Sequence, residues 1–373
     1  MMRFVVERDA FVGALSFVTK YVDNASKIPI LADVMISVGE DGRGSIIATS
    51  LEQAASDTFG ANVEAAGSAC LPAALLLKAV KTSIGAEVKI DVGERQAVVT
   101  VGKSRFTLPI LPSADFPLPS MLTDEGDAKF SMSAEALRKI KKGVEYAREP
   151  DGGRYFLVGV SWRLRDGKVE FCATDGAKLS LSSEEAASGA ASLPDMIVPG
   201  FDMPAWTGDV GVVATDKFIR LTNGDQVVAS KLVDATYPDY RLIIPDNPTR
   251  LLFDREELLG AITRASITAD SREHSVLLVG RDGRMSAHSQ SAVGEVMDEV
   301  TYEGDDFQIA LVSTVLVPVL SSFDCEMVEL GYRDHNSAIT IHDRTDPSRL
   351  AMAMPYRDPR VAEFITSKVS EAA

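Results

Sequence analysis

The chain has 373 residues, 46% of them hydrophobic and 25% charged, with 54 acidic against 38 basic side chains and a formal charge of −16. Such a composition excludes a disordered chain and leaves room for two to four domains of ordinary size. The acidic balance argues against adhesion to nucleic acid over the whole surface. Salt screens over roughly 8 to 10 Å, however, so one concentrated basic face can still act locally.

In chain order, the first elements are a short strand and a helix over residues 9–20, with Phe11, Leu15 and Val18 at helical spacing. Pro72 precedes a second helix over 73–82, a position where its missing N–H costs nothing. Strands are expected over 87–92 and 97–101. The pattern then restarts. FSMSAEALRKI, from Phe130, mirrors the opening FVVERDAFVGAL, with Ser133 capping a helix to about residue 147. Pro199 opens a shorter helix, around 200–207, that Pro204 cuts early, and a strand follows over 210–213. A third copy starts with LLFDREELLGAI at Leu251, where Asp254 caps a helix to about residue 267, followed by a helix over 313–323 and a strand over 338–342. Asp166-Gly167, Asn223-Gly224 and Asp282-Gly283 supply tight turns, and polar, proline-bearing linkers fall at 119–127 and 245–249.

Landmarks recurring about every 120 residues describe whole domains rather than solenoid units. The fold class is α+β: three domains over 1–122, 128–246 and 247–357, with a tail over 358–373. In the tail, Val361, Phe364, Ile365 and Val369 have the spacing of an amphipathic helix. The start MMRFVVE lacks the apolar stretch of a secretory signal and no run of about 18 apolar residues occurs, so the cytoplasm is the expected compartment, with no membrane role. Cys70, Cys172 and Cys325 are far apart and read as small buried hydrophobes in a reducing environment.

Chemistry is sparse. No P-loop, GxGxxG, HExxH, GxSxG or CxxC pattern occurs, and His274, His288, His335 and His342 lack metal-ligand spacing, so no catalytic residue, metal or cofactor is expected. The most enzyme-like string is Ala173-Thr174-Asp175-Gly176, which reads better as a turn than as a catalytic carboxylate. The cations are more telling. Leu137, Ile140, Val144 and Ala147 fall on one helix face while Arg138, Lys141 and Lys142 fall on another. Lys78 and Lys81 repeat the arrangement, Lys20 ends the first helix, and Arg264 projects from the corresponding helix of the third repeat. Cations without base-reading partners suit phosphate contact without sequence specificity.

These residues resemble the bacterial DNA polymerase III beta subunit, the beta sliding clamp family. The resemblance spans residues 1 to about 357. It is carried by Arg3-Phe4-Val5-Val6-Glu7-Arg8, Ile28-Pro29-Ile30-Leu31, Thr49-Ser50-Leu51-Glu52, Ser104-Arg105-Phe106 and Leu111-Pro112-Ser113-Ala114-Asp115-Phe116-Pro117. It continues through Arg154-Tyr155-Phe156-Leu157, Ala173 to Gly176, Ser230-Lys231-Leu232-Val233-Asp234, Tyr237-Pro238-Asp239-Tyr240-Arg241 and Met354-Pro355-Tyr356-Arg357. The resemblance implies a nonenzymatic processivity factor: a head-to-tail homodimeric ring with helices lining the hole and antiparallel sheets outside. Duplex DNA, the polymerase III alpha subunit and other polymerases, a clamp loader, and mismatch-repair and ligase-type factors are the implied partners.

Carried over by position, the family's partner-peptide pocket falls on Leu157, Thr174, Gly176, Lys178, Leu179, Pro238, Ile243, Met354, Pro355, Tyr356 and Arg357. The DNA-facing set is Lys20, Lys78, Lys81, Arg138, Lys141, Lys142, Tyr155, Phe156 and Arg264. Ring closure would pair Lys103, Arg105, Phe106 and Leu108 of one chain with Ile267, Glu295, Asp298 and Glu299 of the other. This chain departs from the family at the pocket rim, where Ala177-Lys178 replaces a usual His-Arg and Leu242 replaces a usual basic residue. Those departures, with the tail, leave open a clamp-like accessory or second copy with altered partners. A carboxylate-dependent enzyme using Asp175 is the alternative from a different class.

Overall fold

The computed structural model describes residues 2–126, 128–150, 152–200, 202–270, 273–292 and 294–357; the tail over 358–373 lies outside the described residues. Five α-helices are described: α1 Arg8–Val18, α2 Ala73–Thr82, α3 Ala134–Val144, α4 Arg255–Ala265 and α5 Ser313–Ser321. Their ends follow from local chemistry. The Glu7 carboxylate accepts from the amides of Asp9 (3.1 Å) and Ala10 (2.6 Å), which caps α1 and holds the Glu7 pKa below the usual carboxylate range. Asp254 caps α4 by accepting from the Glu257 amide at 2.9 Å. The first residues of α1 and α4 act alike: Arg8 donates to the carbonyls of Val80 and Lys81 at the end of α2, and Arg255 donates to the Cys325 carbonyl just beyond α5.

The short helix expected around 200–207 does not form among the described residues. After the strand Met196–Pro199 the described stretch 202–207 is irregular. Pro204 cannot donate to a helical ladder, and the neighbouring groups find other partners. The Asp202 carbonyl accepts from the Tyr21 hydroxyl, and Trp206 Nε1 donates to Gln226 Oε1 at 2.7 Å.

The described strands form two sheets of twelve, and every pairing is antiparallel. The chain gathers into two compact units. Among the described residues, one spans 2–135, 187–194 and 202–232 and holds the first sheet; the other spans 136–186, 195–200 and 233–357 and holds the second. In the first unit, Phe4, Phe11 and Phe59 meet at 5.2 to 6.4 Å between ring centroids, under α1. In the second, Phe253, Tyr302 and Phe307 meet at 5.2 to 6.1 Å, in a core shared with Leu258 and Ile262 of α4 and Leu316, Val319 and Leu320 of α5. Each fully buried aromatic or aliphatic side chain contributes about 1.5 to 3 kcal/mol relative to exposure. Cys70 and Cys172 are buried and Cys325 is half-buried; burial pushes the Cys70 and Cys325 thiols up to about 12 and about 11, so they stay protonated at neutral pH.

Candidate functional site

In the second unit, the strand Lys168–Thr174 leads through a tight turn into the strand Lys178–Glu185. Gly176 takes φ +83° there, a conformation that favours glycine, and a Cβ at this position would lie 2.5 Å from Arg154 Nη1. The turn satisfies its own polar groups. Thr174 Oγ1 donates to the Lys178 carbonyl (2.6 Å) and accepts from the Gly176 amide (3.0 Å), while Asp175 Oδ1 accepts from the amides of Ala177 and Lys178, both at 2.9 Å. Asp175 Oδ2 takes the Lys178 ammonium. Asp175 is therefore committed to the turn, and it lies in no cluster of metal-ligating side chains among the described residues.

The second strand of this turn pairs with Leu350–Ala353, setting Leu179 opposite Met352 and Lys178 opposite Ala353. Beyond it, the Met354 amide donates to the Ala177 carbonyl and the Tyr356 amide to the Ala310 carbonyl, both at 2.8 Å. The tetrapeptide is thus pinned between the turn and the strand Phe307–Val312. Tyr356 packs on Leu277 and Ala310. Leu157, Cys172, Leu179, Tyr237, Tyr240 and Met352 form one buried apolar cluster beside these elements. Among the sequence-predicted residues, Leu157, Thr174 and Leu179 are buried, whereas Gly176, Pro238, Ile243, Met354 and Arg357 are exposed and Lys178, Pro355 and Tyr356 are half-buried. The result is a buried apolar cluster flanked by exposed and half-buried residues, some of them apolar.

Two residues bear on the altered rim expected from the sequence. Lys178 is not a free rim cation, because its ammonium folds onto Asp175 with both side chains under 15% exposed. Leu242 stands 83% exposed and Ile243 53%, so the wall over Tyr240–Ile243 offers apolar surface. Sequence reasoning did not assign a site role to Arg154, which pairs with Glu149 and donates to the Asp175 carbonyl, or to two separately partnered buried charges, Arg163 and Glu170. The last two carried a signal: each is a charge between apolar neighbours, Trp162-Arg163-Leu164 and Val169-Glu170-Phe171.

Among the cations, Lys20, Lys78, Lys81 and Arg138 are exposed. Lys78 and Lys81, three apart on α2, share a face opposite the buried Leu76 and Val80. As expected, Leu137, Ile140, Val144 and Ala147 are buried. The expectation of a free cationic face is corrected at three positions: Lys141 pairs with Glu145 at 3.1 Å, Lys142 with Asp324 and Arg264 with Asp298. These pairs are exposed enough to contribute little to stability. Tyr155 is 62% exposed and meets Phe156 edge-on at 5.7 Å, with Phe156 packed on the apolar cluster.

The edge residues sort by strand parity. The strand Ser104–Pro109 pairs only with Gln96–Val101, so its other edge is free among the described residues. Arg105 is exposed and Phe106 half-buried, but Leu108 is 7% exposed and belongs to its own unit's core. The strand Gly294–Glu303 is paired along 294–301 on one side, and on the other only at Tyr302 and Glu303. Glu295, Met297 and Glu299 face outward there, whereas Asp298 points to the opposite face and holds Arg264. Asp298 is therefore not part of the same outward row. Ile267, 73% exposed, and Met297, 67% exposed, are apolar surface in this unit.

Family models of the DNA polymerase III beta subunit match the chain in order: the N-terminal domain over residues 2–121, the central domain over 131–239 and the C-terminal domain over 241–357. The chain belongs to this family. It is a sliding clamp, a nonenzymatic processivity factor of DNA replication. The beta sliding clamp of Caulobacter vibrioides is 29% identical over 376 residues, and that of Pseudomonas aeruginosa 28% over 370; each alignment covers 95% of this chain and all of the relative. The crystal structure of the Bartonella birtlesii clamp bound to griselimycin superposes with a TM-score of 0.90 at 27% identity, covering 96% of this chain and all of the other. For this clamp, the self-satisfied Thr174–Lys178 turn replaces the carboxylate-enzyme reading of Asp175.

Proposed function

We propose that two copies of this clamp close head to tail into a ring around duplex DNA in the cytoplasm, and that the groove beside the Thr174 turn tethers replication and repair proteins by apolar linear motifs. The observation that carries this reading is the pair of free strand edges with opposite charge. Lys103 precedes and Arg105 lies within the edge strand Ser104–Pro109, while Glu295 and Glu299 are exposed on the strand Gly294–Glu303, which has a free edge. Edge strands left unpaired invite a second chain, and head-to-tail contacts that complete a rotation close a ring. Phe106 with Ile267 and Met297 supplies the apolar centre of that contact, and the charges its rim.

Lys20, Lys78, Lys81 and Arg138 are the cations offered to DNA, and Tyr155 and Phe156 join the DNA-facing set. Lys141, Lys142 and Arg264 join by exchanging their carboxylate partners Glu145, Asp324 and Asp298 for phosphate. The polymerase III alpha subunit, other polymerases, a clamp loader and mismatch-repair and ligase-type factors are the partner classes for the groove. Retention on DNA tests the ring. The protein, loaded by a clamp loader, should stay on nicked circular DNA and leave the same DNA after linearisation; equal loss from both forms, or a monomer at micromolar concentration in sedimentation, overturns the proposal.

A further inference from the structure

The wall over Tyr240–Ile243 has an unusual arrangement. It is a single 3-10 turn without strand pairing, yet Leu242 and Ile243 are held out in water beside an apolar cluster onto which they would otherwise collapse. Something must hold the turn in place. Tyr240, 2% exposed, points inward and donates its hydroxyl to Glu170 Oε2 at 2.6 Å. Arg241 bonds the other carboxylate oxygen of Glu170. One turn earlier, Arg163, 6% exposed, donates to the Tyr237 carbonyl at 2.7 Å, and its guanidinium lies 3.3 Å from the Asp195 carboxylate. Arg165 approaches Glu170 at 4.0 Å. The groups that fix this wall thus come from the strands Gly159–Arg165 and Lys168–Thr174, behind the groove.

We propose that Glu170, supported by Arg163, is a positioning residue that holds the groove wall open for apolar linear motifs. The proposal rests on the groove reading above. A buried carboxylate with two donors in place is directional in a way that apolar packing is not, so it fixes the turn's rotation and keeps Leu242 and Ile243 facing outward. Replacing Glu170 by Ala leaves the Tyr240 hydroxyl without its acceptor and the Arg241 guanidinium with only the longer 3.9 Å contact to Asp166, and the turn is free to rotate its apolar side chains onto the cluster. Gln at 170 keeps an acceptor for Tyr240 but not the charge that holds Arg241.

The test uses the full chain with griselimycin as probe, titrated calorimetrically, alongside hydrogen exchange of the amides over 240–244. Affinity should fall about tenfold in Glu170→Ala and about threefold in Glu170→Gln. Exchange should speed up at 240–244 but not in the strand Lys178–Glu185. Arg241→Gln, at a side chain 41% exposed and therefore safe for folding, should behave like Glu170→Gln. Affinities within twofold of wild type in all three variants overturn the anchor, as does exchange that speeds up equally throughout the second unit. If wild type does not bind griselimycin, the groove reading fails, and the exchange arm still judges the anchor: unchanged rates at 240–244 in Glu170→Ala refute it.

Discussion

Replacing Gly176 by Ala perturbs the groove turn in two separable ways. The residue sits at φ +83°, where an L side chain costs about 1 kcal/mol relative to glycine. The new Cβ would also lie 2.5 Å from Arg154 Nη1, so the guanidinium must retreat from the Asp175 carbonyl and from Glu149. Arg154 is flexible and its side chain is 48% exposed, which limits that second cost to less than about 1 kcal/mol. The sum, about 1 to 2 kcal/mol, corresponds to a roughly fivefold to thirtyfold loss in the population of the native turn. Urea unfolding at fixed protein concentration should show that loss. In an Arg154→Ala background only the backbone cost of about 1 kcal/mol should remain. A Gly176→Ala variant as stable as wild type, or a cost unchanged by removing Arg154, refutes the reasoning.

Burial raises the Asp33 pKa to about 6, so between its ordinary value near 4 and about 6 the folded state holds a proton that the unfolded chain has lost. Asp33 therefore weakens folding as pH rises through this window, and Asp33→Asn should raise the melting temperature more at pH 7.5 than at pH 4.5; an equal gain at both excludes the titration. The buried Arg349 donates to Ser180 Oγ, the Leu181 carbonyl and Ser322 Oγ and lies 5.0 Å from the Phe323 ring. Arg349→Ala should cost about 3 kcal/mol by chemical unfolding, through lost hydrogen bonds and an unfilled space, and a change under 1 kcal/mol would show that the site closes over. At the proposed closure, Arg105→Glu should shift sedimentation toward monomer and Glu299→Lys in the same chain should restore part of the dimer; no rescue would place Glu299 outside the contact. The double variant Lys78→Glu, Lys81→Glu should leave nicked circles faster, with a flatter dependence on salt; an unchanged salt slope would remove α2 from the DNA face.

Much of this was legible from local signals. Asp254 caps a helix because a carboxylate before an apolar-periodic run meets free amides, and Pro72 precedes α2 because proline gives up nothing there. Asp175 read as a turn residue and is one, its carboxylate taken up by the two amides that follow. Parity settled what spacing alone did not: Asp298 sits between Glu295 and Glu299 in number but on the other face of the strand, against Arg264.

By itself the sequence determined the threefold recurrence, the helix starts and the residues of the turn and tetrapeptide, because capping, turn geometry and apolar periodicity act within a few residues along the chain. Only the tertiary structure decided which charges are free. Lys142 meets Asp324 and Arg241 meets Glu170 across large separations, and such pairs depend on where distant strands and helices come to lie. The same holds for the apolar cluster shared by Leu157, Leu179, Tyr240 and Met352, residues far apart in the chain that are gathered as the strand Leu350–Ala353 pairs with Lys178–Glu185.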